Sequence, residues 1–201
     1  MRALQAGAPI DEVEEPNELP GVRVRTSEEM MHSVGADRFR TILGHVPTGV
    51  VIVTGADEGG QPVGFTCGSF FSVSLDPPLV GFCVAKTSTS WPLMAGGARF
   101  CVNLLAEDQQ DISSRFARKG GDKFGGLSWQ YGPLSLPYLD RAVAWIWCET
   151  ADVHEAGDHV IVVGAVSKML LDPQSPMPLV FHRGGYSGVT EFAPARRSQA
   201  S

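Results

Sequence analysis

The chain has 201 residues, 43% of them apolar and 19% charged, the length and balance of one ordinary globular domain with a tail. A chain of this size buries a core without disulfide or metal staples. With 16 Lys and Arg against 22 Asp and Glu, its formal charge of −6 argues against nucleic acid or an anionic membrane as partner, though hydroxyls and backbone amides still suit a small phosphate-bearing ligand.

Residues 1–35 are rich in Glu, Pro and Ala without sustained periodicity, which predicts a disordered arm before a domain over residues 36–192 and a flexible tail over 193–201. Residues 37–46 read as the first helix, because Phe39, Ile42, Leu43 and Val46 fall at i, i+3, i+4 and i+7 before Pro47. From Gly49 the pattern changes to strands. Val50 to Val53 form an apolar run, residues 56–60 supply turn chemistry, and residues 62–67 return. Further strands are predicted over residues 79–85, 99–105, 142–153 and 159–171, with short closing strands over 179–182 and 186–189. Helical patterns interrupt only at residues 90–95 and 107–118. Many short strands and few helices predict an antiparallel barrel or sandwich, and no long internal repeat is present.

No run approaches the roughly 20 apolar residues of a membrane helix. The acidic first 18 residues lack the apolar segment of a secretory signal. Cys67, Cys83, Cys101 and Cys148 lie far apart with no Cys-x-x-Cys spacing, as small core residues of a reducing compartment do. The expectation is a cytoplasmic protein with no metal.

The sequence contains no Gly-x-Gly-x-x-Gly turn, phosphate loop or nucleophile elbow. Its most unusual segment runs from Gly64 to Pro78, where hydroxyls at Thr66, Ser69, Ser72 and Ser74 alternate with glycine and aromatics. That mixture of flat apolar surface and hydrogen-bond donors suits a planar heteroaromatic ligand, and equally a Ser/Gly-rich strand and turn. The hydroxyl run at Thr87, Ser88, Thr89 and Ser90 fits a phosphate cradle or a helix N-cap. Asn103, inside an apolar strand, needs partners from a ligand edge or from neighbouring backbone. His159 ends a turn and opens the longest strand, so it either reaches a pocket at a strand end or lies exposed; His154, five residues earlier, makes a poor metal pair with it. Gly184 and Gly185, between His182 and Tyr186, permit close backbone approach or a tight hairpin.

Taken in order, these segments resemble the flavin reductase-like family. The resemblance rests on Pro47-Thr48-Gly49-Val50-Val51-Ile52-Val53-Thr54, on Gly64-Phe65-Thr66 leading to Ser72-Val73-Ser74-Leu75-Asp76-Pro77-Pro78, and on Ser88-Thr89-Ser90-Trp91. It continues through Phe100-Cys101-Val102-Asn103-Leu104-Leu105, Ser113-Ser114-Arg115-Phe116-Ala117, Gly157-Asp158-His159 and the stretch from Pro178 to Tyr186. The family implies a mainly β fold, a six-stranded antiparallel split barrel with a few short helices. It also implies a homodimer that binds FMN or FAD near the subunit interface, takes hydride from NADH or NADPH, and supplies reduced flavin to a separate flavin-dependent monooxygenase. By that resemblance Thr66, Cys67, Gly68, Ser69, Ser72, Val73 and Ser74 wrap the isoalloxazine edge, and Ser88 and Ser90 lie near the phosphate or ribityl chain. Asn103, Ser113, Arg115 and Phe116 fall where further flavin contacts are expected, and His159 and Tyr186 lie on the nicotinamide side, with no obligatory catalytic residue.

Two positions depart from the family pattern: Gly68 stands where Asn or Ser is common, and Phe71 where Thr or Ser is. The absence of a basic cluster for a 2′-phosphate favours NADH. A flavin-retaining electron carrier or redox sensor is the competing reading, and a pyridoxamine-phosphate oxidase-like enzyme matches these motifs poorly.

Overall fold

Val50, Val51, Ile52 and Val53 are all buried, so the strand they begin must be covered on both faces. Side chains alternate along a strand, and the two sets go to two clusters. Val51 and Val53 pack with Phe82, Phe100, Val102 and Val162, whereas Val50 and Ile52 pack with Leu105, Phe116, Phe124, Leu139 and Leu179. The first cluster is the barrel interior and the second lies beneath a helix.

The computed structural model describes residues 34–96, 98–174 and 176–190. The chain divides into two units, Met1–Phe39 and Arg40–Ser201. The arm expected over residues 1–35 lies outside the described residues apart from 34 and 35, and the tail expected over 193–201 lies outside them altogether.

The first helix, α1 (Ala36–Leu43), ends three residues before the predicted boundary and buries none of its residues, so the predicted stripe faces no core. Then come β1 (Thr48–Gly49), β2 (Val51–Ala56), β3 (Pro62–Cys67), β4 (Phe71–Leu75), β5 (Pro78–Ala85), α2 (Trp91–Ala95), β6 (Arg99–Leu104) and α3 (Gln110–Ala117). The remainder is β7 (Trp129–Tyr131), β8 (Pro137–Leu139), β9 (Ala144–Ala156), β10 (His159–Leu171), β11 (Val180–His182) and β12 (Gly185–Ser187). The strands β7 and β8 were not anticipated, and β4 falls in the Gly64–Pro78 stretch for which a Ser/Gly-rich strand and turn was one of two readings. They are three to five residues long, too short for a periodicity to stand out from the surrounding Ser, Gly and Pro.

The main sheet is antiparallel in the order β3-β2-β6-β9-β10-β5-β4, seven strands where six were expected. The fold is mainly β with a few short helices, the class that the resemblance implies. Backbone pairing leaves the sheet open between β3 and β5, and a side chain spans the gap. Ser69, just beyond β3, accepts from the Cys83 amide of β5 at 2.9 Å and donates to the Cys83 carbonyl at 3.1 Å. A smaller sheet, β1-β11-β12, and the β7-β8 pair flank the main one.

The longest ladder joins β9 and β10 through a two-residue turn in which Gly157 takes φ 66°, a left-handed backbone that glycine enters without strain. Where β9 bulges against β10, Gly164 lies under the ring of Phe100. A Cβ there would collide with Phe100 Cζ and sit 3.1 Å from Cys148 Cβ. Both neighbours are core residues with no room to move. Gly164→Ala is therefore expected to cost about 1–3 kcal/mol through overpacking. In a chain of this size that lowers the melting temperature by roughly 2–4 °C per kcal/mol; an unchanged thermal melt would contradict the packing described.

Candidate functional site

The antiparallel register of β5 with β10 pairs Ala85 with His159. A strand end and a turn therefore meet, and the Lys86 amide donates to the Asp158 carbonyl at 3.0 Å. Above this junction opens a cleft of about 400 Å³, within the usual range for small-molecule sites. Its walls are residues 65–69, the end of β5, the hydroxyl loop 87–90, the C-terminal end of α3 with the basic residues that follow, and His159.

Of the residues singled out in the sequence, the cleft gathers Thr66, Cys67, Gly68, Ser69, Ser88, Ser90, Phe116 and His159. Several of their polar groups are already engaged. Thr66 Oγ1 donates to the Ser113 carbonyl at 2.6 Å and ties β3 to α3. Its single proton is spent, so a ligand meeting this hydroxyl must bring a donor. The Ser69 hydroxyl donates to Cys83 O and accepts from Cys83 N, so it bridges β3 and β5 while its residue also lines the cleft. Ser88 Oγ accepts from the Trp91 amide at 3.2 Å at the start of α2, whose N-cap residue Ser90 makes no side-chain cap bond, and both serines line the cleft. His159 Nδ1 and Asp158 Oδ1 lie 2.7 Å apart, and that hydrogen bond holds the Asp158 carboxyl below its ordinary range. Burial pushes the Cys67 thiol up, which keeps it protonated and unreactive.

Other expected residues lie elsewhere. Asn103 is fully buried, and its amide is saturated by protein: Nδ2 donates to Ile52 O and Thr54 Oγ1, both at 3.0 Å, and Oδ1 accepts from Leu139 N at 2.8 Å. Neighbouring backbone, not a ligand edge, meets its needs. Ser113 is also buried, and it receives the Tyr186 hydroxyl at 2.9 Å. The small sheet carrying Tyr186 packs beside α3, so this tyrosine lines a different depression with Glu107, Asp108 and Gln110. It does not share the cleft of His159. Arg115 turns away to donate to the Gly125 carbonyl at 2.6 Å. Ser72, Val73 and Ser74 sit on β4, the edge of the main sheet, and none of them lines the cleft.

The two departures have local explanations. A side chain on Gly68 would place its Cβ 3.2 Å from Thr48 Oγ1, so glycine relieves a crowded bend. Phe71 stands opposite Gly81 on β5, and its ring covers the space where that glycine lacks a side chain. It supports the sheet edge and does not line the cleft.

Sequence reasoning missed three cations. Arg118, Lys119 and Lys123 all line the same cleft as the hydroxyl loop. Lys123 is half-buried, and the loss of hydration lowers its pKa from the ordinary lysine value. Its Nζ donates to Gly64 O at 3.0 Å, Phe116 O at 3.1 Å and Ser90 Oγ at 3.3 Å. In a chain of net charge −6, one cleft thus gathers these three basic residues and the four hydroxyl-bearing residues 87–90. The Arg118-Lys119 pair was visible in the sequence, but nothing local placed it in one cleft with Ser88 and Ser90. Among the described residues no group of three or more His, Cys, Asp or Glu is placed to hold a metal ion.

Comparison with known proteins places this geometry in context. The profile of the flavin reductase like domain matches residues 43–190. The reductase subunit HsaB of a flavin-dependent monooxygenase from Mycobacterium tuberculosis is 45% identical over 152 residues, covering 75% of this chain and 81% of that protein. The crystal structure of nitrilotriacetate monooxygenase component B from Mycobacterium thermoresistibile superposes with a TM-score of 0.76 at 44% identity, covering 81% of this chain and 92% of the other. The NADH:FAD oxidoreductase SgcE6 from Streptomyces globisporus C-1027, solved in complex with NAD and FAD fragments, superposes with a TM-score of 0.71 at 33% identity, covering 80% and 94%.

Proposed function

The chain belongs to the flavin reductase-like family and is a flavin reductase, and from this premise we propose that the cleft between β3, the hydroxyl loop and α3 binds the flavin and admits the nicotinamide from the side of His159. The observation that carries this reading is that Arg118, Lys119 and Lys123 line one cleft together with residues 87–90. Basic and hydroxyl side chains in one cleft suit the phosphate of a flavin, and the bend at residues 66–69 places backbone amides beside the apolar surface of Phe65 and Val84. Flavin, when bound, supplies the ring that accepts hydride. The protein's task is to hold two flat ligands in register and keep water from between them. The amides of residues 66–69 are the groups available to stabilise negative charge developing along the flavin edge.

His159 orients the nicotinamide. Its Nδ1 is engaged by Asp158, which fixes the ring and leaves Nε2 for a ligand. His159→Ala is expected to lower kcat/KM for NADH by about tenfold, the loss of roughly one hydrogen bond, while the flavin dissociation constant stays within about twofold. Equal loss in both parameters would remove the nicotinamide role.

The reduced flavin passes to a separate monooxygenase, the arrangement that the names of HsaB and of the nitrilotriacetate monooxygenase component indicate for those proteins. The working assembly is a homodimer in the cytoplasm. Supporting the dimer, β4 is an edge strand with Phe71, Val73 and Leu75 exposed at 43%, 47% and 96%, an unpaired apolar edge that a second copy would cover. No helix among the described residues is long and apolar enough to cross a membrane.

Oxidation of NADH by the purified chain, followed with and without added FMN or FAD, tests the activity. Turnover that requires added flavin supports the reductase that releases its product. A tightly held flavin without nicotinamide turnover would instead point to an electron carrier.

A further inference from the structure

Lys123 differs from Arg118 and Lys119 in what its charged group already does. Its Nζ donates to Gly64 O on β3, to Phe116 O on α3 and to Ser90 Oγ at the start of α2. An ammonium carries three N–H donors and no lone pair, so all three are engaged. The bond to Ser90 therefore runs in one direction only. Ser90 Oγ is the acceptor, and its own proton must turn elsewhere.

That proton has no acceptor among the described residues, although Ser90 is only 8% exposed. Polar groups so buried normally find a partner. Ser90 lines the cleft and also an adjoining cavity of about 270 Å³, and so do Thr89 and Lys123. What the fold leaves to this hydroxyl is an acceptor brought by a ligand.

Other hydroxyls of the cleft divide on the same criterion. Thr66 and Ser69 spend their protons on the carbonyls of Ser113 and Cys83. Ser88 accepts from the Trp91 amide and keeps its proton, as Ser90 does. The β3 side thus presents hydroxyl lone pairs, and the side at residues 88–90 presents hydroxyl protons. A phosphate dianion only accepts, so it matches the second side and not the first.

We propose that Lys123 is a positioning residue for the flavin phosphate: by donating to Ser90 it fixes that hydroxyl as a donor to the phosphate, and does not meet the phosphate with its own N–H groups. This role rests on the flavin reading of the cleft and explains how one side of it is prepared. Without the ammonium the Ser90 hydroxyl can rotate, and its proton is no longer reserved for the ligand.

The test is to titrate FMN and riboflavin into the intact chain, into Ser90→Ala, into Lys123→Met and into the two changes combined. Ser90→Ala is expected to weaken FMN binding about tenfold, the loss of one hydrogen bond to a charged group, with riboflavin within about twofold. In the Lys123→Met background the same serine change should cost at most about twofold, because the two residues act as a unit. Lys123→Gln serves in place of a methionine variant that fails to fold, since its amide oxygen can take the Ser90 proton. A tenfold cost of Ser90→Ala in both backgrounds would overturn the inference, because Lys123 would then act on the phosphate by itself. Equal losses of FMN and riboflavin in Lys123→Met would overturn it as well, leaving the lysine as a brace between walls. An unchanged FMN affinity in Ser90→Ala alone would do so without any lysine variant. FMN binding no tighter than riboflavin to the unsubstituted chain is a separate result: it removes the phosphate site, and this role with it.

Discussion

Replacing Arg118 and Lys119 together with alanine is expected to weaken FMN binding by about 100-fold and to leave riboflavin binding within about twofold. Both residues line the cleft together with residues 87–90, and both are exposed. Hydrogen bonds to charged groups are worth about 1.5–3 kcal/mol when well placed, and solvent screening at an exposed site takes the lower end of that range. About 1.4 kcal/mol from each cation is a factor of ten apiece. Riboflavin lacks the phosphate and serves as the control for cleft shape. Because the attraction is screened, FMN affinity of the unsubstituted chain should fall as salt rises, and the double variant should respond less steeply. Equal losses for FMN and riboflavin would show that the two residues shape the wall and do not hold the phosphate.

Asn103→Ala is expected to be the more damaging change to the fold. The Asn103 amide links three segments: β2 through Ile52 O and Thr54 Oγ1, its own strand β6, and β8 through the Leu139 amide. Thr54 extends the network by donating to the Pro137 carbonyl at 2.5 Å. Alanine leaves the buried Leu139 amide without its acceptor and opens a void where water has no access. One orphaned buried group costs about 1–3 kcal/mol, and the void adds to it, so a total near 3 kcal/mol is expected. That corresponds to a melting temperature lower by roughly 6–12 °C. Flavin affinity measured well below the melt should stay within about twofold, because Asn103 does not line the cleft. A large loss of flavin affinity with an unchanged melt would restore the ligand-contact reading of this residue.

The two readings of Asn103 illustrate why part of the site was not legible in the sequence. An amide in an apolar strand announces that it needs partners, and nothing local says which. Its partners lie at positions 52, 54 and 139. Ser69 is a similar case: its hydroxyl suggested a ligand contact, yet it pairs with Cys83, fourteen residues away, and closes the sheet. Tyr186 was expected near His159, but the small sheet that carries it delivers its hydroxyl to Ser113 and Ser114 on α3. For Asn103 the sequence showed a polar group in need of partners, and for Ser69 and Tyr186 it suggested a ligand; in each case the packing of distant elements supplies a partner from the protein.

The sequence by itself determined the alternation that makes most of the strands, the turn at Gly157, and the ordered segments that identify the family. Each of these is local, set by side-chain period, turn stereochemistry and spacing along the chain. Only the tertiary structure decided that Arg118, Lys119 and Lys123 share a cleft with residues 87–90, that His159 lies beside Ala85, and that Lys123 lines two adjoining cavities. Those meetings depend on strand register and on how α3 packs against β3. Register is fixed by the summed burial of whole strands, so no single residue near the site encodes it.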